Sequence, residues 1–142
     1  MSQPLDAPYL FELPAVGNPL VGFISVAEGH LLPFPVQRVY WTYATPPEVS
    51  RGRHAHFALR QVVIAAAGRI IVHTESLAQD QARFVLERPN QALYLPALNW
   101  HWLHFEVGAV LLALASAPYD EADYIRSYST FRQLQADWLS NR

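Results

Sequence analysis

The feature that most constrains the fold is a series of short apolar runs separated by prolines, glycines and other turn-forming residues. Eight such runs lie at residues 20–27, 37–43, 59–67, 69–74, 82–87, 91–96, 101–106 and 109–116. Short runs at near-regular spacing, without long helical segments between them, are typical of sandwiches and barrels. The chain is therefore predicted to be an all-β barrel or jelly roll.

The tail of the chain has the only helical pattern in the sequence. Ser129 is the predicted N-cap, and four apolar side chains fall on one face of the predicted helix: Phe131, Leu134, Trp138 and Leu139. The 142 residues contain no internal repeat or linker, so residues 1–142 are expected to form a single domain.

Composition excludes several classes of partner. The net charge is −2, and all ten basic residues are arginines, so no basic surface is expected to attract nucleic acid. The longest apolar run, residues 107–117, is too short to span a bilayer, and the N-terminus lacks a signal-peptide pattern. We expect the protein to be cytoplasmic and to have no nucleic-acid or membrane partner. The chain has no cysteine, which excludes disulfides and thiol chemistry.

Two histidines one residue apart, His54 and His56, precede a β-branched run. On a strand, side chains at i and i+2 point to the same face, so the two imidazoles share a target. Two functions of this pair stay open at this point: binding a metal ion, and acid–base chemistry on a substrate.

The spacing around these histidines resembles the cupins, which are double-stranded jelly rolls. His54, His56 and Gly68 fit the first cupin motif, but Gln61 stands at the position of its glutamate. In the second motif "PALNWH" supplies Pro96 and His101, with Leu98 in place of a glycine. The resemblance implies a cupin-type jelly-roll barrel with a short C-terminal helix.

The same resemblance brings His54, His56, Gln61 and His101 together inside the barrel. A glutamine supplies no negative charge and is a weak metal ligand, so this set is a poor metal site. We therefore predict that the protein binds no metal, and that the histidines perform acid–base chemistry near neutral pH.

A narrower match lies in "RGRHAH", in "YDEADYIR" and in the order of five segments along the chain, at residues 33–41, 51–56, 59–62, 93–101 and 112–131. These pieces resemble the sugar-nucleotide 3,4-ketoisomerases, the WxcM-like or FdtA-like family. The resemblance implies a homodimeric isomerase without metal or cofactor. Members of this family shift a keto group from C4 to C3 of a 6-deoxyhexose that is linked to dTDP.

The family's functional positions transfer residue by residue. The implied catalytic residues are His54 and His56, as acid–base groups, and Tyr40, which polarises a sugar oxygen. The implied substrate-binding residues are Arg38, Arg51, Gln61 and His101. Of these, Arg51 suits the pyrophosphate because its planar fork of donors matches phosphate oxygens.

The chain departs from the family pattern at Trp41, Phe57 and Trp102. A non-catalytic module that binds a sugar or nucleotide sugar therefore stays open as an alternative, whereas Gln61 disfavours a metal-dependent enzyme such as an oxygenase. Residues 119–124 are expected to play a structural part at the end of the barrel. The apolar stretch at residues 8–26 is expected to cross between subunits as an added strand.

Overall fold

The computed structural model describes residues 6–142, which form twelve β-strands, two 3-10 turns and one α-helix. The strands are β1 (Tyr9–Glu12), β2 (Ala15–Asn18), β3 (Gly22–Ser25), β4 (Arg38–Thr42), β5 (Ser50–His56), β6 (Gln61–Ala67), β7 (Ile70–Ser76), β8 (Gln81–Leu86), β9 (Gln91–Leu95), β10 (Asn99–Phe105), β11 (Val110–Ala115) and β12 (Tyr124–Ile125). The 3-10 turns cover Gly29–Leu31 and Glu121–Asp123, and helix α1 covers Tyr128–Ser140.

Ten of these strands form two five-stranded antiparallel sheets that face each other. The first sheet has the order β1-β9-β6-β11-β4, and the second has the order β12-β5-β10-β7-β8. Strands β2 and β3 form a separate hairpin. The predicted all-β jelly-roll barrel with a C-terminal helix is confirmed.

Buried and exposed side chains alternate along the strands, which explains why the two sheets pack face to face. In β10, Leu103 and Phe105 point into the core while His104 between them is exposed. The buried side chains meet Val63 and Leu93 from the opposite sheet. Period-two burial of this kind fixes the register of each strand, since a slip by one residue would expose the whole apolar set.

Helix α1 covers the outer face of the second sheet. Phe131 is fully buried there, in a cluster with Trp100 of β10 and Ile125 of β12. The predicted N-cap, Ser129, is wrong: the cap is Ser127, whose hydroxyl accepts a hydrogen bond from the Thr130 amide at 3.3 Å.

The predicted apolar face of this helix needs one correction. Leu134 and Trp138 pack beside Phe131, but Leu139 is exposed, and Gln135 is buried in its place. Position 139 lies about 100° further around the helix than position 138, which turns its side chain away from the sheet. None of the helical segments within residues 6–142 is long and apolar enough to cross a bilayer.

Candidate active site

Three imidazoles meet on the inner face of the second sheet. His54 and His56 project from β5, and His101 projects from the neighbouring strand β10, directly opposite His54. The His54 ring centroid lies 5.0 Å from that of His56 and 4.6 Å from that of His101. One nitrogen from each ring lies within 4.8 Å of the others. The structure thus brings together the histidines that the sequence analysis singled out.

A β-bulge in β5 orients this cluster. The register between β5 and β10 shifts after His101, and Gly52 takes a positive φ of +85° there. A Cβ at Gly52 would lie 3.0 Å from the His101 carbonyl oxygen, so glycine is needed both for its backbone conformation and for space. Beyond the bulge, Arg51 pairs with Leu103, whose side chain faces the interior. Arg51 therefore lies on the same face of the sheet as His54.

Tyr40 and Gln61 approach the cluster from the first sheet. The Tyr40 hydroxyl donates a short hydrogen bond to Gln61 Oε1, and Gln61 Nε2 lies 3.5 Å from His56 Nε2. Burial, together with the nearby Tyr124, raises the pKa of Tyr40 to about 12, against the opposing effect of Arg38 and Arg51. Tyr40 is therefore a protonated hydrogen-bond donor at neutral pH.

Burial also sets the protonation of the histidines. It lowers the pKa of His56 to about 4, with a further decrease from His54 and a partial increase from Asp123. The pKa of His101 falls to about 3 through burial and the two neighbouring imidazoles, and its Nδ1 lies 3.2 Å from the Asn99 carbonyl. Burial lowers the pKa of His54 as well. All three rings are neutral at pH 7 and can accept a proton.

Two residues that the sequence analysis treated as structural lie against this cluster. Asp123 Oδ2 is 3.4 Å from His56 Nδ1, a separation longer than a strong hydrogen bond but within reach of an ion pair. Tyr124 pairs with His56 across β12 and β5, and the two rings meet edge-on with centroids 4.4 Å apart. No sequence spacing links these residues to His56, so only the fold reveals the contact.

A cavity of about 200 Å³ opens beside His56, with Arg38 and Tyr124 among the residues that line it. The Arg38 guanidinium lies over the Tyr40 ring, 5.3 Å from its centroid. Neutral imidazoles, a protonated phenol and arginines at one end of the barrel can move protons on an anionic substrate.

The double-stranded jelly roll and its inward-facing histidines define a protein of the cupin type. The family model described as "FdtA: WxcM-like, C-terminal" matches residues 7–136, and the chain belongs to that family. The predictions of this family and of an isomerase are confirmed.

Similar proteins are named as sugar 3,4-oxoisomerases or 3,4-ketoisomerases. Over 113 residues, the chain is 36% identical to the TDP-4-oxo-6-deoxy-alpha-D-glucose-3,4-oxoisomerase of Aneurinibacillus thermoaerophilus, a match that covers 78% of this chain and 79% of that protein. A mutant of the 3,4-ketoisomerase QdtA from Thermoanaerobacterium thermosaccharolyticum, in complex with TDP-4-keto-6-deoxyglucose, has a TM-score of 0.87 at 29% identity, with 94% and 96% of the two chains covered. The WlaRB TDP-quinovose 3,4-ketoisomerase from Campylobacter jejuni has a TM-score of 0.84 at 33% identity, with 91% and 99% covered.

Proposed function

We propose that this chain is a single-domain 3,4-ketoisomerase that converts a TDP-linked 4-keto-6-deoxyhexose to its 3-keto isomer in deoxysugar and surface polysaccharide biosynthesis. The observation that carries the proposal is the pair of neutral histidines, His54 and His56, beside the protonated Tyr40. The names of the similar ketoisomerases support the same substrate class.

The reaction needs a base at C3 and an acid at C4. A neutral imidazole removes the C3 proton, the electrons move into the C4 carbonyl, and an enediol-like intermediate forms. The C4 oxygen takes up one proton as the C3 hydroxyl loses one, and C4 itself takes up the proton that replaces the one removed from C3. The isomerisation is then complete with no net change in atoms or charge. Tyr40 stays protonated at neutral pH, so its hydroxyl is suited to exchange its hydrogen bond to Gln61 for one to the developing oxyanion.

The proposed substrate-binding residues lie at two depths in the barrel. Arg38 and Arg51 supply positive charge near Tyr40 and are suited to the diphosphate. His101 and Gln61 lie deeper, each nearly fully buried, and form the polar wall against which the sugar would rest. The polar atoms of Gln61 also contact Tyr40 and His56, so this residue would help to orient both.

We propose that the reaction is metal-independent, because the donor set suits a divalent cation poorly. The Gln61 side-chain oxygen accepts a hydrogen bond from the Tyr40 hydroxyl, so the amide N–H groups rather than the oxygen face His56. We expect sub-stoichiometric metal by elemental analysis and activity that survives EDTA. About one equivalent of zinc, iron or manganese, lost together with activity on chelation, would contradict this prediction.

We also propose a homodimer formed through the β2–β3 hairpin. Strand β1 pairs with β9 of its own chain, whereas within the described residues the hairpin strands pair only with each other. The hairpin exposes several large apolar side chains: Val16, Leu20, Val21, Phe23 and Ile24. Exposed apolar surface of this kind marks a contact with another chain. The cytoplasmic location stays a prediction.

The direct test is to incubate the protein with TDP-4-keto-6-deoxyglucose in deuterated water and to follow the sugar protons by NMR. An isomerase is expected to remove the C3 proton signal and to form the 3-keto sugar with deuterium at C4. Binding of the nucleotide sugar without any change in its protons would favour the non-catalytic module instead.

A further inference from the structure

Asp123 is held in place before any substrate arrives. It ends the 3-10 turn Glu121–Asp123, and its two carboxylate oxygens accept hydrogen bonds from the amides of Ala58 at 2.9 Å and Leu59 at 3.1 Å. These amides belong to the second and third residues after His56 in the chain. The carboxylate and the imidazole therefore belong to one rigid unit, and the side chain of Asp123 is only 19% exposed.

The opposite side of the His56 ring is fixed independently. The Tyr40 hydroxyl donates to Gln61 Oε1, so the amide N–H groups of Gln61 point toward His56 Nε2. An amide N–H can approach an imidazole nitrogen favourably only where that nitrogen carries a lone pair. The ring proton then lies on Nδ1, which is the nitrogen that faces Asp123.

From these two contacts we infer that Asp123 is a positioning residue for His56, holding the ring as the Nδ1–H tautomer. The lone pair then stays on Nε2, where a substrate proton can replace the long 3.5 Å contact with Gln61. The inference rests on the proposed ketoisomerase function. A carboxylate behind an imidazole orients the ring and stabilises the imidazolium that forms when the base takes up a proton.

The charges around His56 support this assignment. Groups on several elements face the ring: His54 on β5, His101 on β10, Arg38 on β4, Gln61 on β6, Tyr124 on β12 and Asp123 itself. Burial, His54 and Arg38 lower the pKa of His56, whereas Asp123 raises it. Asp123 is thus the group that favours the protonated ring, which the transition state requires.

The first test reads the tautomer in the unaltered protein. The nitrogen-15 signals of His56, assigned by their loss in His56→Asn, are expected at pH 7 to show a protonated Nδ1 and a bare Nε2. The reverse pattern, with the proton on Nε2, would overturn the inference. This measurement needs neither a mutation at Asp123 nor turnover.

The second test is Asp123→Asn, which still offers one oxygen to the amides of Ala58 and Leu59. We expect turnover to fall about tenfold or more with KM changed less than about threefold, and the Nε2–H tautomer of His56 to gain population. The matched control is Asp137→Asn, which removes an exposed carboxylate of helix α1 that accepts a hydrogen bond from Gln133. It is expected to leave both the tautomer and turnover near those of the unaltered protein.

The outcomes separate this inference from the proposed function. If the unaltered protein does not convert the ketosugar, the proposed function is wrong. The nitrogen-15 signals of His56 still test the role of Asp123 in that case. An Asp123→Asn variant with normal turnover, or with reduced turnover and an unchanged tautomer, would make Asp123 merely structural and overturn the inference.

Discussion

At the scale of single residues, His54 and His56 differ although they lie one residue apart on the same face of β5. His56 is only 3% exposed and lies between Asp123 and Gln61. His54 is less buried than His56. Neither Nδ1 atom has a hydrogen-bond partner among residues 6–142, but the Nδ1 of His56 lies 3.4 Å from the Asp123 carboxylate. The two rings are therefore suited to separate parts of one proton transfer, with His56 held rigidly and His54 freer to meet the sugar.

The first prediction concerns this pair. Replacing either histidine with asparagine keeps a polar side chain but removes the group that accepts and returns a proton. We expect His54→Asn and His56→Asn each to lower turnover by about 10²-fold or more, while nucleotide affinity changes little. Steady-state kinetics and a TDP-binding titration measure the two quantities.

The control for this prediction is His104→Asn, which changes an exposed histidine of β10 that faces away from the core. Its turnover is expected to match that of the unaltered protein. Near-normal turnover in both asparagine variants of the pair would mean that His54 and His56 are structural, and the non-catalytic sugar-binding module would become the better interpretation.

At the scale of secondary-structure elements, a buried carboxylate ties helix α1 to the second sheet. Glu75 on the outer face of β7 is 4% exposed and accepts hydrogen bonds from Gln81, Tyr128 and Gln135. Gln135 also donates to the Ser76 carbonyl at 2.9 Å. A polar contact at the centre of an otherwise apolar interface costs stability when it is broken, because the remaining groups stay buried without partners.

We therefore predict that Gln135→Ala lowers the free energy of unfolding by about 1–3 kcal/mol. The control is Gln133→Ala on the exposed side of the same helix, where the side chain bonds only Asp137. This change is expected to lie within about 0.5 kcal/mol of the unaltered protein. Urea unfolding followed by circular dichroism measures both, and equal effects of the two substitutions would contradict the proposed importance of the Glu75 contacts.

The β2–β3 hairpin gives a second prediction at this scale. Light scattering at micromolar concentration is expected to give about twice the chain mass of 16.1 kDa. Phe23→Glu, which places a charge on the exposed apolar face of the hairpin, is expected to shift the protein toward the monomer. Val107→Glu changes an even more exposed apolar residue outside the hairpin and is expected to leave the dimer intact. A monomeric unaltered protein would contradict the proposal.

At the scale of the whole molecule, the space between the sheets has an apolar part and a polar part. Leucines, valines and phenylalanines from both sheets fill the apolar part. His56, Gln61 and His101 are buried in the polar part. Keeping neutral histidines in a folded interior makes stability depend on pH, because the unfolded chain binds protons that the folded chain excludes.

The last prediction follows from His101. Its pKa of about 3 lies below the ordinary histidine value of about 6.5, so on acidification the unfolded state takes up a proton first. The free energy of unfolding is therefore expected to fall as the pH decreases from 6.5 toward 3, with about 2 kcal/mol lost from this group between pH 7 and pH 5. Urea unfolding at several pH values measures the slope.

The slope is expected to be shallower in His101→Gln, which cannot titrate. It should be unchanged in His30→Gln, because His30 is exposed. A pH dependence that is the same in the unaltered protein and in His101→Gln would show that His101 is not held neutral by the fold.

The sequence by itself determined the features that depend on local periodicity. Apolar runs between turn residues predicted most of the strands, and two histidines at i and i+2 had to share a face wherever that strand was placed. The motif order from residue 33 to residue 131 was sufficient to indicate the family, because it does not depend on contacts between distant segments. The apolar runs did not include β1, β2, β5 or β12. Strands β1, β2 and β12 are only two to four residues long, and β5 consists largely of polar and basic residues although its two histidines were expected to lie on a strand.

Tertiary structure alone decided the contacts that join distant segments. The sequence indicated Ser129 as the N-cap, and only the fold shows that Ser127 caps the helix, with Phe131 buried against the second sheet. Asp123 reaches His56 because β12 adds to the edge of β5, a pairing that no local pattern encodes. Antiparallel pairing joins residues at any sequence separation, so side chains that shape the candidate site become neighbours only when the sheets have formed.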